Sequence, residues 1–324
     1  MVALAISQTP QPQVADTASF EADVLAGLAA TPKHIPSKYF YDGVGSQLFE
    51  HITEVPEYYP TRTEMQILRD HAADISKLIA PGSALVEFGS GSSKKARILL
   101  RAVPPLAAYV PVDICGEMVE QEAIELRPNF PQLKVLPVTA DICFPFELPA
   151  EAKAAPARVG FFPGSTIGNF EPHEAAQFLR HAGAMLGAGG VLIIGFDLVK
   201  DPAILKPAYN DAEGVTAKFN LNLLARINRE LGGEFDLASF EHHACYNREQ
   251  TRIEMYLAST KRQKIRVGGK AISFRAGETI HTENSYKYTI ESFNALAQGA
   301  GFAPLQAWTD GMFAVLAFRM ADEK

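Results

Sequence analysis

The chain has 324 residues, enough for one large or two modest domains, and its 47% hydrophobic and 21% charged residues are ordinary for a soluble globular enzyme. A net charge of −7 without a lysine/arginine cluster argues against a nucleic-acid partner, and the densest basic spot, Lys261 to Lys264, reads as a hairpin tip. No apolar run is long enough to span a membrane, the start lacks a secretory signal, and Cys115, Cys143 and Cys245 have no metal-ligand spacing. The expectation is a cytoplasmic protein with no disulfide and no metal.

Residues 1 to about 18, rich in Gln, Pro, Ala and Thr, read as a frayed leader. A helix is expected from Phe20 to Ala29, ended by Thr31-Pro32, and a short amphipathic helix from Ser46 to Ile52. Val55 to Glu64 reads as a proline-bracketed aromatic loop leading into a helix that ends near Leu78. Two prolines stiffening Tyr58 and Tyr59 suit a surface shaped for a ligand.

The chain is organised around Ala84 to Lys95. Ala84 to Phe88 is a short apolar run that fits a buried parallel strand. Gly89 and Gly91 allow a sharp turn, and Ser92 or Ser93 can cap the helix 94–103. The dinucleotide pattern G-x-G-x-x-G is only partly met, because Lys94 stands at its third glycine. Ala108 to Asp113 is a second strand, ending in an acid about twenty residues later, where a carboxylate can accept both hydroxyls of a ribose. After a helix 115–126, a third strand, 134–139, leads to Asp141. Glu87, Asp113 and Asp141 would meet at the carboxyl edge of one sheet. Three acids are a poor cradle for pyrophosphate but suit a positively charged nucleoside such as the sulfonium S-adenosylmethionine; the bland alternative is that they cap the following helices.

A strand over Arg158 to Pro163 opens into Gly164 to Phe170, which lies across from the first glycine turn and offers hydroxyls and the amide of Asn169. That amide could instead cap the helix 172–186. The strand Val191 to Phe196 completes a doubly wound α/β sheet. Alternation then stops: a helix from Gly214 to about Leu231 precedes strands at 241–246, 252–258, 263–267, 271–274 and 279–285, a mainly antiparallel insertion. A helix 289–300 and a terminal hairpin, 303–308 with 312–319, close the chain.

Glu87-Phe-Gly89-Ser-Gly91 with Asp113 and Asp141 resembles the cofactor motifs of class I S-adenosylmethionine methyltransferases. Four longer stretches resemble the histidine Nα-methyltransferases of ergothioneine biosynthesis, which make hercynine. They are Phe40 through Phe49, Pro56 to Glu64, Gly164 to Asn169, and the pair Ile253-Glu-Met255 with Thr282-Glu283-Asn-Ser285. The likeness runs from about Thr31 to the terminal hairpin. It implies cofactor contacts at Gly89, Lys95, Asp113, Asp141 and Ile142, and histidine contacts at Tyr58, Asn169, Tyr209, Glu283 and Ser285. Tyr41, Phe49 and Gly164 would line the pocket, with Met255 beside the imidazole. Phe170, where leucine is common, and Ile142, where an aromatic can occur, are the departures.

The implied reaction is an in-line methyl transfer to the α-amine of L-histidine, repeated three times, with S-adenosylhomocysteine as co-product. Tyr41 and Asn169 are assigned the catalytic role of orienting the amine, not of a strong base. Glu283 and Ser285, two apart on one strand, share a face and can grip both nitrogens of an imidazole. The eight histidines do not carry the reaction: adjacent His242 and His243 point to opposite faces, and only His281 precedes the specificity strand. The expected architecture is a Rossmann-like cofactor domain, 61–199 with 288–324, and a smaller α+β substrate domain, 1–60 with 200–287, acting as a monomer. The alternative within enzymes is methylation of another amino acid or small amine.

Overall fold

The computed structural model describes residues 17–322, so the expected leader falls almost wholly outside the described residues. Strand β1 is Lys33–His34. β2 (Ala84–Phe88), β3 (Ala108–Asp113), β4 (Lys134–Val135), β5 (Val138–Thr139), β6 (Arg158–Phe162) and β7 (Val191–Asp197) alternate with helices. β8 (Phe240–Asn247), β9 (Arg252–Ser259), β10 (Gln263–Val267), β11 (Lys270–Phe274) and β12 (Thr279–Tyr286) follow, and β13 (Phe302–Thr309) and β14 (Phe313–Met320) end the chain.

The larger sheet has eight strands in the order β13-β14-β7-β6-β2-β3-β4, with β5 also paired to β3. β2 and β7 are wholly buried and, apart from Glu87 and Asp197, apolar, and they sit inside the sheet, as strands covered on both faces must. β2 runs parallel to β3 and β6, and β14 is antiparallel to β7 and β13. The fold is therefore a Rossmann-like α/β sheet with a terminal antiparallel hairpin. From β2 the chain builds outward through β3, β4 and β5, then returns to β6 on the other side of β2. This reversal opens a crevice at the carboxyl ends of β2 and β6. Register brings Phe88 level with Val112 and Glu87 level with Phe161, so the turns that begin at Gly89, Asp113 and Pro163 share one edge.

The second sheet is β1-β12-β9-β8, flanked by the hairpin β10-β11. β12 carries a bulge between His281 and Glu283. Without the extra residue Glu283 would face Glu254; with it, Glu283 pairs across to Met255. One apolar core joins residues 20–59 to 205–280. Two others lie on the faces of the larger sheet, drawn from 67–196 and 293–318. Among the described residues no helix is long and apolar enough to cross a membrane.

Several boundaries differ from expectation, each for a local reason. The helix expected after Glu64 starts at Tyr59, because Pro60 occupies a first-turn position that needs no N–H. It stops at Asp70 and a separate short helix, Ala72–Ser76, follows. The third strand is split into β4 and β5 around Leu136-Pro137, where proline cannot donate to the ladder. Ser93 holds the cap position of helix Lys94–Ala102, but its hydroxyl donates to Glu122 instead of capping. Lys261 lies in the link between β9 and β10, which belong to different sheets, and pairs with Asp236.

Candidate active site

A cavity of about 1220 Å³, open mouth included, fills the crevice. Glu87, Gly89, Gly91, Lys95, Asp113, Asp141 and Ile142 all line it, as does the loop from Pro163 to Phe170. Gly91 has φ +45° with open space where a Cβ would stand, so its backbone angle explains the glycine. Its N–H donates to Asp113 Oδ2 at 3.0 Å, and the Cys115 N–H donates to Oδ1 at 2.9 Å. Burial raises the Asp113 carboxyl above its ordinary pKa, with these backbone donors opposing. Asp141 accepts from the Cys143 N–H at 3.0 Å and from Lys38 Nζ at 3.2 Å. Glu87 accepts from the Tyr109 hydroxyl through one oxygen; the other is buried without a partner among the described residues, and burial pushes the carboxyl up to about 8. An orphaned carboxylate oxygen beside an acid-lined cavity fits a ligand that carries positive charge and hydroxyl donors.

Lys95 Nζ lies 2.6 Å from Glu64, which is fully buried and also accepts the Gly164 N–H at 2.8 Å. Glu64 thus ties the two sides of the crevice together. Its carboxylate leaves no room for a side chain at Gly195, where a Cβ would stand 1.9 Å from Oε1. The loop after β6 is pinned further by Ser165, which has φ +59° and whose hydroxyl accepts the Asp197 N–H at 3.0 Å. Such a strained residue held at a ligand edge is common at working sites.

A smaller cavity of about 550 Å³ adjoins the first. Tyr41, Phe49, Tyr58, Gly164, Asn169, Tyr209, Met255, Glu283 and Ser285 line it, so every residue expected around the second ligand is brought together. Tyr41, Phe49, Gly164, Thr166 and Asn169 line both cavities and mark where they join. The helix-cap alternative for Asn169 does not hold: helix Pro172–Leu186 is capped by Glu171 with Glu174. The Tyr58 loop is shaped by the Arg62 guanidinium, which donates to the carbonyls of Val55, Pro56 and Tyr58. Phe49 meets Tyr41 and Tyr58 edge-on, with ring centroids 5.7 and 6.2 Å apart. Burial holds the Tyr41 and Tyr58 hydroxyls well above their ordinary pKa, so both are neutral at pH 7.

Sequence reasoning missed Glu64, Phe219 and Lys287. Phe219 lines the smaller cavity from helix Val215–Leu231. Lys287 donates to Tyr209 Oη at 2.9 Å and Ser285 Oγ at 2.8 Å from behind the cavity wall. Glu64 had a visible sign: with Pro60, Ile67 and Leu68 it occupies the inward stripe of its helix, an acid at an apolar position. Among the described residues no histidine lines either cavity. His281 stacks on Tyr256, its Nε2 against the Glu283 carbonyl, while His242 packs under the Tyr209 carbonyl.

Burial pushes the Glu283 carboxyl up to about 8, against the pull of Lys287. A carboxyl raised on folding is accommodated at low pH, and its cost grows as pH climbs from the unfolded value near 4.5 toward 8. Glu283→Gln is therefore expected to raise the thermal midpoint of the ligand-free protein by a few degrees at pH 8.5 and by less at pH 5.5. Scanning calorimetry at both pH values checks this; a gap that narrows with rising pH would contradict it.

Over residues 20–320 the chain matches the family described as "Histidine-specific methyltransferase, SAM-dependent". It is 42% identical to the "Histidine N-alpha-methyltransferase" of Mycobacterium tuberculosis (strain CDC 1551 / Oshkosh), across 89% of this chain and 90% of that protein. The protein of the same name from Mycolicibacterium smegmatis is 43% identical over the same shares. "Ergothioneine biosynthesis protein 1" of Neurospora crassa is 31% identical across 86% of this chain and 32% of its own length.

Proposed function

The chain belongs to the SAM-dependent, histidine-specific methyltransferase family, and from that premise we propose that it trimethylates the α-amine of L-histidine to hercynine, the first step of ergothioneine biosynthesis. The observation that carries this reading is the junction of the two cavities at Tyr41, Gly164 and Asn169, where a methyl donor and an amine would meet head-on.

Bound S-adenosylmethionine would supply an electrophilic methyl group on sulfur. Asp113 would accept the ribose hydroxyls, the Gly89–Gly91 turn would let the backbone approach, and Asp141 with Ile142 would flank the nucleoside. Glu87 and Lys95 would face the remaining, amino-acid part of the donor. Asn169 and Tyr41 would orient the attacking amine, and positioning supplies much of the rate in such a displacement. The neutral Tyr41 hydroxyl is no base, so the amine would arrive neutral or lose its proton to solvent before closure. Glu283, opposite Met255, would take the imidazole.

The separate apolar cores support two domains with the division expected from sequence, 61–199 with 288–324 and 1–60 with 200–287, closing on each other to exclude water.

Incubation with S-adenosylmethionine and each of the twenty amino acids, followed by mass spectrometry, tests the reading. Histidine alone should gain methyl groups, up to three. Methylation of a different amino acid, or unmodified histidine, would overturn it.

A further inference from the structure

Lys287 is a charge with no exposure, and Asp197 beside it is equally enclosed. Burial opposes the ammonium, but Asp197 at 2.9 Å outweighs it and holds the Lys287 pKa above the ordinary lysine value. Its three protons are all committed, to Asp197, Tyr209 Oη and Ser285 Oγ. Asp197 is shared: the Tyr59 hydroxyl donates to it at 2.7 Å and Lys200 Nζ at 2.5 Å. The cluster therefore carries more positive than negative charge.

No lysine or arginine among the described residues lines the smaller cavity, and its only carboxylate is Glu283. An amino acid entering there brings a carboxylate whose burial needs donors and a counter-charge. Lys287 lies one oxygen behind the cavity wall, whereas Lys95, at the junction with the larger cavity, is already paired with Glu64. Tyr209 Oη and Ser285 Oγ stand 2.7 Å apart and each accepts from Lys287. One hydroxyl must donate to the other, so the pair keeps a single free O–H. Either hydroxyl can be the donor; the arrangement in which Ser285 donates to Tyr209 leaves the Tyr209 proton for a ligand and leaves Ser285 a lone pair for the ring.

Resting on the histidine reading above, we infer that Lys287 is the positioning residue for the substrate carboxylate: it fixes Tyr209 as a donor toward that group and backs it with a full positive charge. The ring then lies toward Glu283, two residues along β12 from Ser285. Lys287 touches neither ligand.

The test compares histidine with histidinamide, which replaces the carboxylate by a neutral amide, in the wild-type protein and in Lys287→Met. The wild type should prefer histidine. In the variant KM for histidine should rise on the order of 10- to 100-fold, the range for hydrogen bonds to charged groups, while KM for histidinamide changes little. A packing defect would move both alike, and equal changes would overturn the inference. Methionine leaves Asp197 short of a partner, so Lys287→Met/Asp197→Asn serves as a second variant with the charge pair removed; the same narrowing is expected there. A wild type that does not methylate histidine would overturn the substrate reading and this inference with it.

Discussion

Replacing Glu283 by alanine should lower kcat/KM for histidine on the order of 10³- to 10⁴-fold. A site built to hydrogen-bond a polar ring discriminates by that factor, because nitrogens that enter it would otherwise stay unpaired. Among the described residues Glu283 is the only carboxylate on the smaller cavity. The apolar part of the lining that remains includes Met255 across the ladder, with Phe49 and Phe219 on the same cavity. Methionine adapts to irregular shapes, so the enlarged space should accept an apolar aromatic amino acid such as phenylalanine. Steady-state kinetics with both substrates measures the exchange. Removing an acid that burial already disfavours should not lower the thermal midpoint, which separates lost recognition from lost folding. Unchanged histidine kinetics would place the ring elsewhere.

The second large effect is expected at Asp113. Alanine there removes the acceptor proposed for the ribose and also frees the N–H groups of Gly91 and Cys115. Each hydrogen bond to a charged group contributes about 1.5–3 kcal/mol, so two of them correspond to a loss of about 10²- to 10⁴-fold in affinity. Titration calorimetry with S-adenosylhomocysteine reads this directly. Asp113→Asn should fall between, since its amide oxygen keeps one backbone donor satisfied. Binding unchanged in the alanine variant would mean that the sugar lies away from β3.

The sheet was legible because its signals are local. β2 and β7 are mostly apolar runs, broken only by Glu87 and Asp197, and helices Pro172–Leu186 and Val215–Leu231 carry a helical apolar repeat with a proline or glycine at the start. The lining of both cavities was legible through the resemblance, which named residues far apart in sequence. Where reasoning failed, the deciding fact was tertiary. Pro60 reads equally as a loop breaker or a first-turn residue until Tyr59 is seen bound to Asp197. Glu64 and Lys287 are charged residues at enclosed positions, made tolerable there by partners remote in sequence, Lys95 and Gly164 for the first and Asp197 and Tyr209 for the second. The bulge in β12 leaves no mark in composition, yet it sets which residue faces Met255.

The sites proposed for donor and acceptor hang from different sheets that share no strand. The turns after β2 and β3 line the larger cavity and that after β6 lines both, whereas β9 and β12 present Met255, Glu283 and Ser285 to the smaller one. Substrate scope can therefore drift independently of donor use. A lineage, or a protein engineer, could rewrite a few inward positions on two antiparallel strands and obtain a catalyst for a new amine while the methyl-supplying machinery stays intact.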